Sequence, residues 1–391
     1  MSPLQGVKVL DLGAVLMAPY AAQWLADLGA DVIKVEPPAG DTTRRIGPRA
    51  EPEMASVFLA ANRNKRSAVL DLKTPEGREA LLTLADTADI LLHNNRPQKM
   101  KALGLDPDTL LARNPRLVYA TLHGFAEAGP YGGKPAYDDI IQGMSGLADL
   151  QGQRTGEPAY LPTAAADKTA GLVGAIAILA ALSQRDRTGK GCYVEIPMFE
   201  SMVAYTAVEH LYGRHFDPPM GPAAYPRVMT PERRPFATAD GYICALPYTD
   251  QHWRSLFTAG GRPELASDPR FVGIAARTEN IGALYTILAE VLRTRTTAEW
   301  LEALDALEIP CGPVKSLDEL IEDPHLVATG FFTRIEPKDG GPALRFPGVP
   351  VLFDGERPPV RMPPRLGEHT EEVLLEAGLS PEQAKRLAER S

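Results

Sequence analysis

The chain has 391 residues, 44% of them hydrophobic and 23% charged, and a formal net charge of −9. That length predicts roughly two domains with a sizeable core. The acidic balance excludes a broad nucleic-acid or anionic-membrane footprint, although local basic clusters can still hold a small anionic ligand.

The opening, MSPLQGVKVLDLG, lacks the basic-then-apolar pattern of a secretory leader. The longest apolar run, 169–182, is shorter than the roughly 18 residues that span a bilayer. A cytoplasmic protein with no membrane partner is expected. GVKVLDL (6–12) predicts a buried strand, 18–30 a helix ending at Gly29, and DVIKVE (31–36) a second strand. The unit recurs as a strand at 67–72, a helix from Thr74 and Pro75 to 88, and a strand at 89–94. Thr74 and Pro75 suit the N-cap and first helical positions. A short helix at 107–113 leads to RLVYATLHGF (116–125), the small-residue helix AAADKTAGLVGAIAILAAL (164–182) follows, and GCYVEIPM (191–198) closes the series. These units predict a large Rossmann-like, doubly wound α/β domain over 1–206. The Pro-rich stretch 207–237 reads as a crossing linker rather than packed elements. Residues 238–320 read as a smaller α+β domain with a hairpin turning at ADG (239–241) and helices at 250–258, 277–293 and 297–306. Residues 321–391 read as a return segment ending in a helix pair.

Most motif-like features have bland readings. The first turn has one glycine where a dinucleotide fingerprint needs three, although Glu36 mimics its ribose-binding acid. GMSGL (143–147) is not a nucleophile elbow, and His123 beside it reads as a strand end. The histidines of HLYGRH (210–215) do not share a helix face, and Cys192, Cys244 and Cys311 are isolated, so no metal is expected. The cations of NRNKRS (62–67), with Lys73, Arg44, Arg45, Arg96, Lys99 and Lys101, fit either a phosphate-bearing ligand or a solvated surface. Asp167 fits a helix cap. It also fits an ionised nucleophile, because Gly171, Gly174 and the alanines behind it let another backbone or a ligand approach closely.

Five ordered blocks then carry a resemblance: GVKVLDLGAVLMAPYAAQWLADLGADVIKVEPPAGDTTR, NRNKRSAVLDLKTPEG, AYDDIIQGMSGL, DKTAGLVGAIAILAALSQRDRTGKGCYVEIPMFESM and CGPVKSLDELIEDPHLVATGFF. From about residue 5 to 370 the chain resembles the family III CoA-transferases, the formyl-CoA and crotonobetainyl-CoA transferase group that also contains the α-methylacyl-CoA racemases. The resemblance implies an interlocked ring homodimer whose large domain is built from both termini. It implies a CoA thioester as substrate with no resident cofactor, a carboxylic acid as second substrate, and Asp167 as the catalytic aspartate. It places CoA along Val15, Leu16 and Met17; the adenine end by Pro37 and Leu70, Asp71, Leu72 and Lys73; and the pantetheine by Asn94, Asn95, Arg96, Ala102, Pro135, Ala136, Tyr137 and Asp138. Formyl-CoA transferase has glutamine where Leu16 stands and arginine at the positions of Pro37 and Ala102. Formyl-CoA with oxalate is therefore not the expected pair, and Arg44, Arg45 or Lys99 are expected to meet the phosphates. Racemases carry a histidine where Tyr137 stands, and proton exchange at Cα needs two placed acid–base groups, so transfer is expected over racemisation. Arg227, Arg233 and Arg234 are candidates to read the acceptor carboxylate, and backbone N–H groups near 164–171 are candidate oxyanion donors.

Overall fold

The computed structural model describes residues 2–49, 51–337 and 340–389. Six strands, β1 (Lys8–Asp11), β2 (Asp31–Glu36), β3 (Arg66–Val69), β4 (Ile90–His93), β5 (Val118–His123) and β6 (Cys192–Pro197), form one sheet in the order 3-2-1-4-5-6. Every pair is parallel. β4 and β5 are buried along their whole length, which is why they read as unbroken apolar runs rather than alternating ones. The first helix, Met17–Asp27, joins β1 to β2, and helix Pro75–Thr87 joins β3 to β4. The latter starts as the residues dictate: Pro75 follows the cap, and Thr74 Oγ1 accepts the Gly77 N–H. Along β3, the Val69 N–H donates to Thr370 Oγ1 and the Ser67 carbonyl accepts the His369 N–H, so the C-terminal segment lies against that strand.

Helix Ala165–Thr188 connects β5 to β6 and is longer than its apolar stretch, ending where Gly189 takes a left-handed φ of +72°. By length and composition alone it has the character of a membrane span, but it packs on the first helix and on β5 and β6. Gly171 and Gly174 make that packing possible. A Cβ on Gly171 would lie 2.9 Å from the Met17 carbonyl oxygen, and one on Gly174 would lie 2.8 Å from Leu122 Cδ2.

Contacts divide the chain into two units, Met1–Ser145, Leu161–Tyr205 and Pro324–Ser391 against Gly146–Tyr160 and Thr206–Asp323. The second unit has its own antiparallel sheet, β7 (Phe236–Ala237), β8 (Tyr242–Ala245) and β9 (Cys311–Pro313), over a core that includes Trp253, Phe257, Leu288 and Trp300. Two sequence expectations change here. The stretch expected as a linker is packed at its end, where helix Pro226–Met229 lies on helices Ile274–Glu279 and Ile281–Leu292; Pro226 opens that helix at its first turn. Residues 146–160, read as part of the large domain, group with the smaller unit because helix Leu147–Thr155 packs on Pro226–Met229.

Candidate active site

The strand order reverses between β1 and β4, and in such sheets ligands bind beyond the carboxyl ends at that switch point. Here the two ends are tied together. Ala14 N–H donates to Asn94 Oδ1 at 2.9 Å, Asn94 Nδ2 returns to the Ala14 carbonyl at 2.7 Å, and Asn95 Nδ2 reaches the Leu12 carbonyl at 3.2 Å. Asn95 is fixed from behind. Its N–H donates to His93 Nδ1, and His93 Nε2 meets Tyr119 Oη at 2.9 Å. Burial, with a smaller contribution from the nearby His123, pushes the His93 ring down to about 3, so it stays neutral.

Between β1 and the first helix the chain turns through Val15 with φ of +68°, a region a β-branched side chain rarely enters. The turn is held by its N–H, which donates to both Asp41 carboxylate oxygens at 3.2 and 3.3 Å. Burial alone would raise the Asp41 carboxyl; Lys34 at 3.1 Å and the Thr43 N–H and hydroxyl overcome that and hold it below the ordinary range. Lys34 also donates to the Gly13 carbonyl, and Lys65 joins Asp11, Asn62 and the Pro19 carbonyl, so a buried ionic network underlies the whole turn.

Two cavities flank this turn and share Ala14 and Asn95. The first, of about 310 Å³, is lined by Pro37, Leu70, Asp71, Leu72 and Lys73, together with Asp41 and Lys99. The second, of about 250 Å³, is lined by Val15, Leu16, Met17, Asn94, Arg96, Pro135, Ala136 and Tyr137, and it contains Asp167 and His123. Ala102 lines neither cavity and is exposed on helix Pro97–Ala102.

Asp167 does not cap its helix. The N-cap is Ala164, and Asp167 lies in the first turn. The cap comes from elsewhere: Asp138 Oδ1 accepts the Asp167 N–H at 2.9 Å, while Asp138 Oδ2 accepts Gln142 Nε2 at 2.6 Å. That N–H, one of the expected oxyanion donors, is therefore already committed. Burial, and then the Asp138 charge, raise the Asp167 carboxyl to about 6. The expectation that this carboxylate is held firmly ionised is corrected: it titrates just below neutrality.

The basic cluster is spent on structure. Arg44 is buried, donates to Glu36 at 2.6 and 2.8 Å and stacks on Phe58, so neither Arg44 as a phosphate contact nor Glu36 as a ribose contact is free. Arg63 pairs with Asp27, Lys65 with Asp11, and Arg66 with Asp31, Glu372 and Glu376. Arg45 donates to the Ala39 carbonyl. Lys73 and Lys99 are left as the cations on the first cavity. In the smaller unit Arg227 bonds Tyr285 and stacks over Tyr248. Arg233 and Arg234 instead line a cavity of about 530 Å³ and make no ion pair among the described residues. Sequence reasoning missed Lys34 and Asp41, whose only signal is opposite charge on β2 and on the turn that follows it.

A sheet of order 3-2-1-4-5-6 with a part-buried carboxylate at its switch point defines an α/β ligand-binding enzyme. The chain matches the model of CoA-transferase family III over residues 4–370, and it belongs to that family. It is 35% identical over 386 residues to the succinate–glutarate CoA-transferase of Agrobacterium fabrum, covering 96% of this chain and 95% of the relative. It is 32% identical to the human succinyl-CoA:glutarate CoA-transferase, covering 96% and 86%. A crystal structure of a Mycobacterium tuberculosis protein superposes with a TM-score of 0.82 at 32% identity, covering 94% of this chain and 98% of that one. A CAIB/BAIF family protein from Brucella suis does so at 0.80 and 34%, covering 96% and 99%. The protein is thus a CoA-transferase, an enzyme of CoA thioesters, and the racemase alternative is not favoured.

Proposed function

We propose that the protein moves CoA from an acyl-CoA to a free short dicarboxylic acid through Asp167. The carboxylate attacks the thioester carbonyl and expels CoA thiolate, giving an aspartyl–acyl anhydride. The thiolate attacks the aspartyl carbonyl of that anhydride, releasing the donor acid and leaving an aspartyl-CoA thioester. The acceptor carboxylate then attacks this thioester and expels CoA thiolate, giving a second anhydride; the thiolate attacks its acceptor carbonyl, forming the acceptor acyl-CoA and freeing the Asp167 carboxylate. Anhydride and thioester keep the acyl group activated, as a serine ester would not. The observation that carries this reading is the Asp167 carboxylate on the wall of the second cavity.

The dicarboxylate class rests on the relatives named for succinate, glutarate and mesaconate. Leu16 keeps formyl-CoA with oxalate outside the proposal. CoA would run along the two cavities, its phosphates nearest Lys73 and Lys99. The large domain would comprise 1–145, 161–205 and 324–391 and the small one 146–160 and 206–323. The reading includes an interlocked cytoplasmic homodimer; the apolar face at Leu172, Val173 and Ile176 on the Asp167 helix, exposed in the single chain, supports pairing with a second chain. Succinyl-CoA assayed against a panel of mono- and dicarboxylic acids should give acyl-CoA product with C4–C5 dicarboxylates; transfer only to monocarboxylates would reject the class.

The protonation of Asp167 sets a pH dependence. Transfer needs the carboxylate, so kcat/KM should rise as pH increases through about 6. Asp138→Asn keeps an oxygen for the Asp167 N–H but removes the opposing charge. Its acid limb should move to lower pH without reaching the ordinary aspartate value, because burial remains the larger cause. A limb that stays put or moves upward in a pH–rate profile would refute the coupling.

A further inference from the structure

One side chain in the second cavity has no part in that chemistry. His123 ends β5, is 7% exposed, and has a ring nitrogen, Nδ1, with no hydrogen-bond partner. Its Nε2 lies 2.9 Å from Glu195 Oε1 on β6, and its Nδ1 lies 3.9 Å from Glu127 Oε1. Both carboxylates belong to the same tie. Glu195 Oε1 also accepts the Glu127 N–H at 2.7 Å, and Glu127 Oε1 accepts the Gly133 N–H at 3.0 Å. The Ala126 N–H goes to Glu200 Oε1 at 3.2 Å. The turn so tied runs directly into Gly133–Tyr137, one wall of the second cavity, and then into Asp138, which holds the Asp167 N–H.

A carboxylate only accepts, so the ring proton toward Glu195 is on Nε2. Nδ1, at 3.9 Å from Glu127, makes no hydrogen bond, so the tie runs from Nε2 through Glu195 Oε1 to the Glu127 N–H. His93, on the neighbouring strand, is neutral and bonded to Tyr119 and Asn95, so it does not compete for either glutamate.

We propose that His123 is a positioning residue for the transferase site: by holding Glu195, whose Oε1 also accepts the Glu127 N–H, it fixes the 126–137 segment that walls the second cavity and delivers Asp138 to Asp167. The proposal rests on the reading of that cavity as the reaction site, so one of its tests is independent of turnover. His123→Leu removes the donor to Glu195 Oε1, and Glu195→Ala removes the oxygen that His123 and the Glu127 N–H share.

Hydrogen–deuterium exchange of 126–137 should quicken about fivefold or more in each variant, with the sheet strands unchanged. KM for the acyl-CoA should rise about five- to tenfold with a smaller change in kcat, and the double variant should be no worse than the poorer single one. Unchanged exchange in 126–137 overturns the proposal even if Asp167 proves to be the nucleophile. Additive KM effects, or a loss confined to kcat, overturn it as well. If instead Asp167 variants stay active while the exchange response is seen, the reaction-site reading fails and the His123 tie stands.

Discussion

Asp167→Asn and Asp167→Ala are expected to lower transfer by on the order of 10⁴-fold or more, the scale seen when a covalent nucleophile is removed. Binding of CoA should survive, because the other lining residues of both cavities are untouched. Wild-type enzyme incubated with acyl-CoA and no acceptor should gain the mass of CoA on the peptide containing Asp167, and hydroxylamine should convert that adduct to a hydroxamate and inactivate the enzyme. Neither variant should do so; an adduct elsewhere, or full activity in the alanine variant, would sink the assignment. The same substitution has a thermodynamic signature. The folded carboxyl is raised to about 6 from an ordinary 3.8. A raised acid contributes stability that is complete below the unfolded value and lost as pH rises through the folded one. The ionised group therefore costs the fold roughly 1–3 kcal/mol at neutral pH, the lower end allowing for its partial contact with water. Asp167→Asn should accordingly raise Tm at pH 7.5, with the gain shrinking as pH falls toward 5. An inactive variant that is also more stable separates a nucleophile kept at a cost from a structural aspartate, whose loss would lower Tm.

The strands were legible because a parallel sheet covered on both faces demands continuous apolar runs, and Thr74–Pro75 announces its helix locally. The ionic network was not legible, because its partners are remote in sequence. Arg63 finds Asp27 36 residues away, Lys65 finds Asp11 at 54, and Arg66 finds Glu376 at 310. A run of cations looks the same whether it will meet phosphate, water or buried carboxylates. The cap at Asp167 failed for the same reason. Helix-start statistics assign the acid nearest the boundary, whereas here Asp138, 29 residues earlier, reaches the first-turn N–H. That leaves the Asp167 carboxylate free of the helix end and open to the cavity.

Gly171→Val should be nearly as damaging to the enzyme as a change in the site itself, though the residue holds no functional group. Two explanations fit a glycine at that place: room for a ligand, or room for another chain segment. The distances select the second. The added Cβ would meet the Met17 carbonyl oxygen at 2.9 Å and Tyr20 Cδ1 at 3.0 Å, both on the first helix. The carbonyl is backbone and cannot rotate away, so the two helices must separate, and valine adds branches that widen the gap. Met17 and Asp167 are both walls of the second cavity, one on each helix. Separation therefore displaces Asp167, the proposed nucleophile, from the strained Val15 turn that Asp41 holds in place. A displacement of about 1 Å at a reacting group costs on the order of 10²-fold, and that loss is expected in kcat/KM. Overpacking should remove about 1–3 kcal/mol of stability as well. Gly171→Ala should be milder, since alanine recovers about 1 kcal/mol of helix propensity against a smaller clash. Thermal melts and steady-state kinetics on the two variants discriminate the explanations. A ligand-access glycine would raise KM and leave Tm alone, whereas a helix-contact glycine must lower Tm and kcat together, in the order alanine then valine.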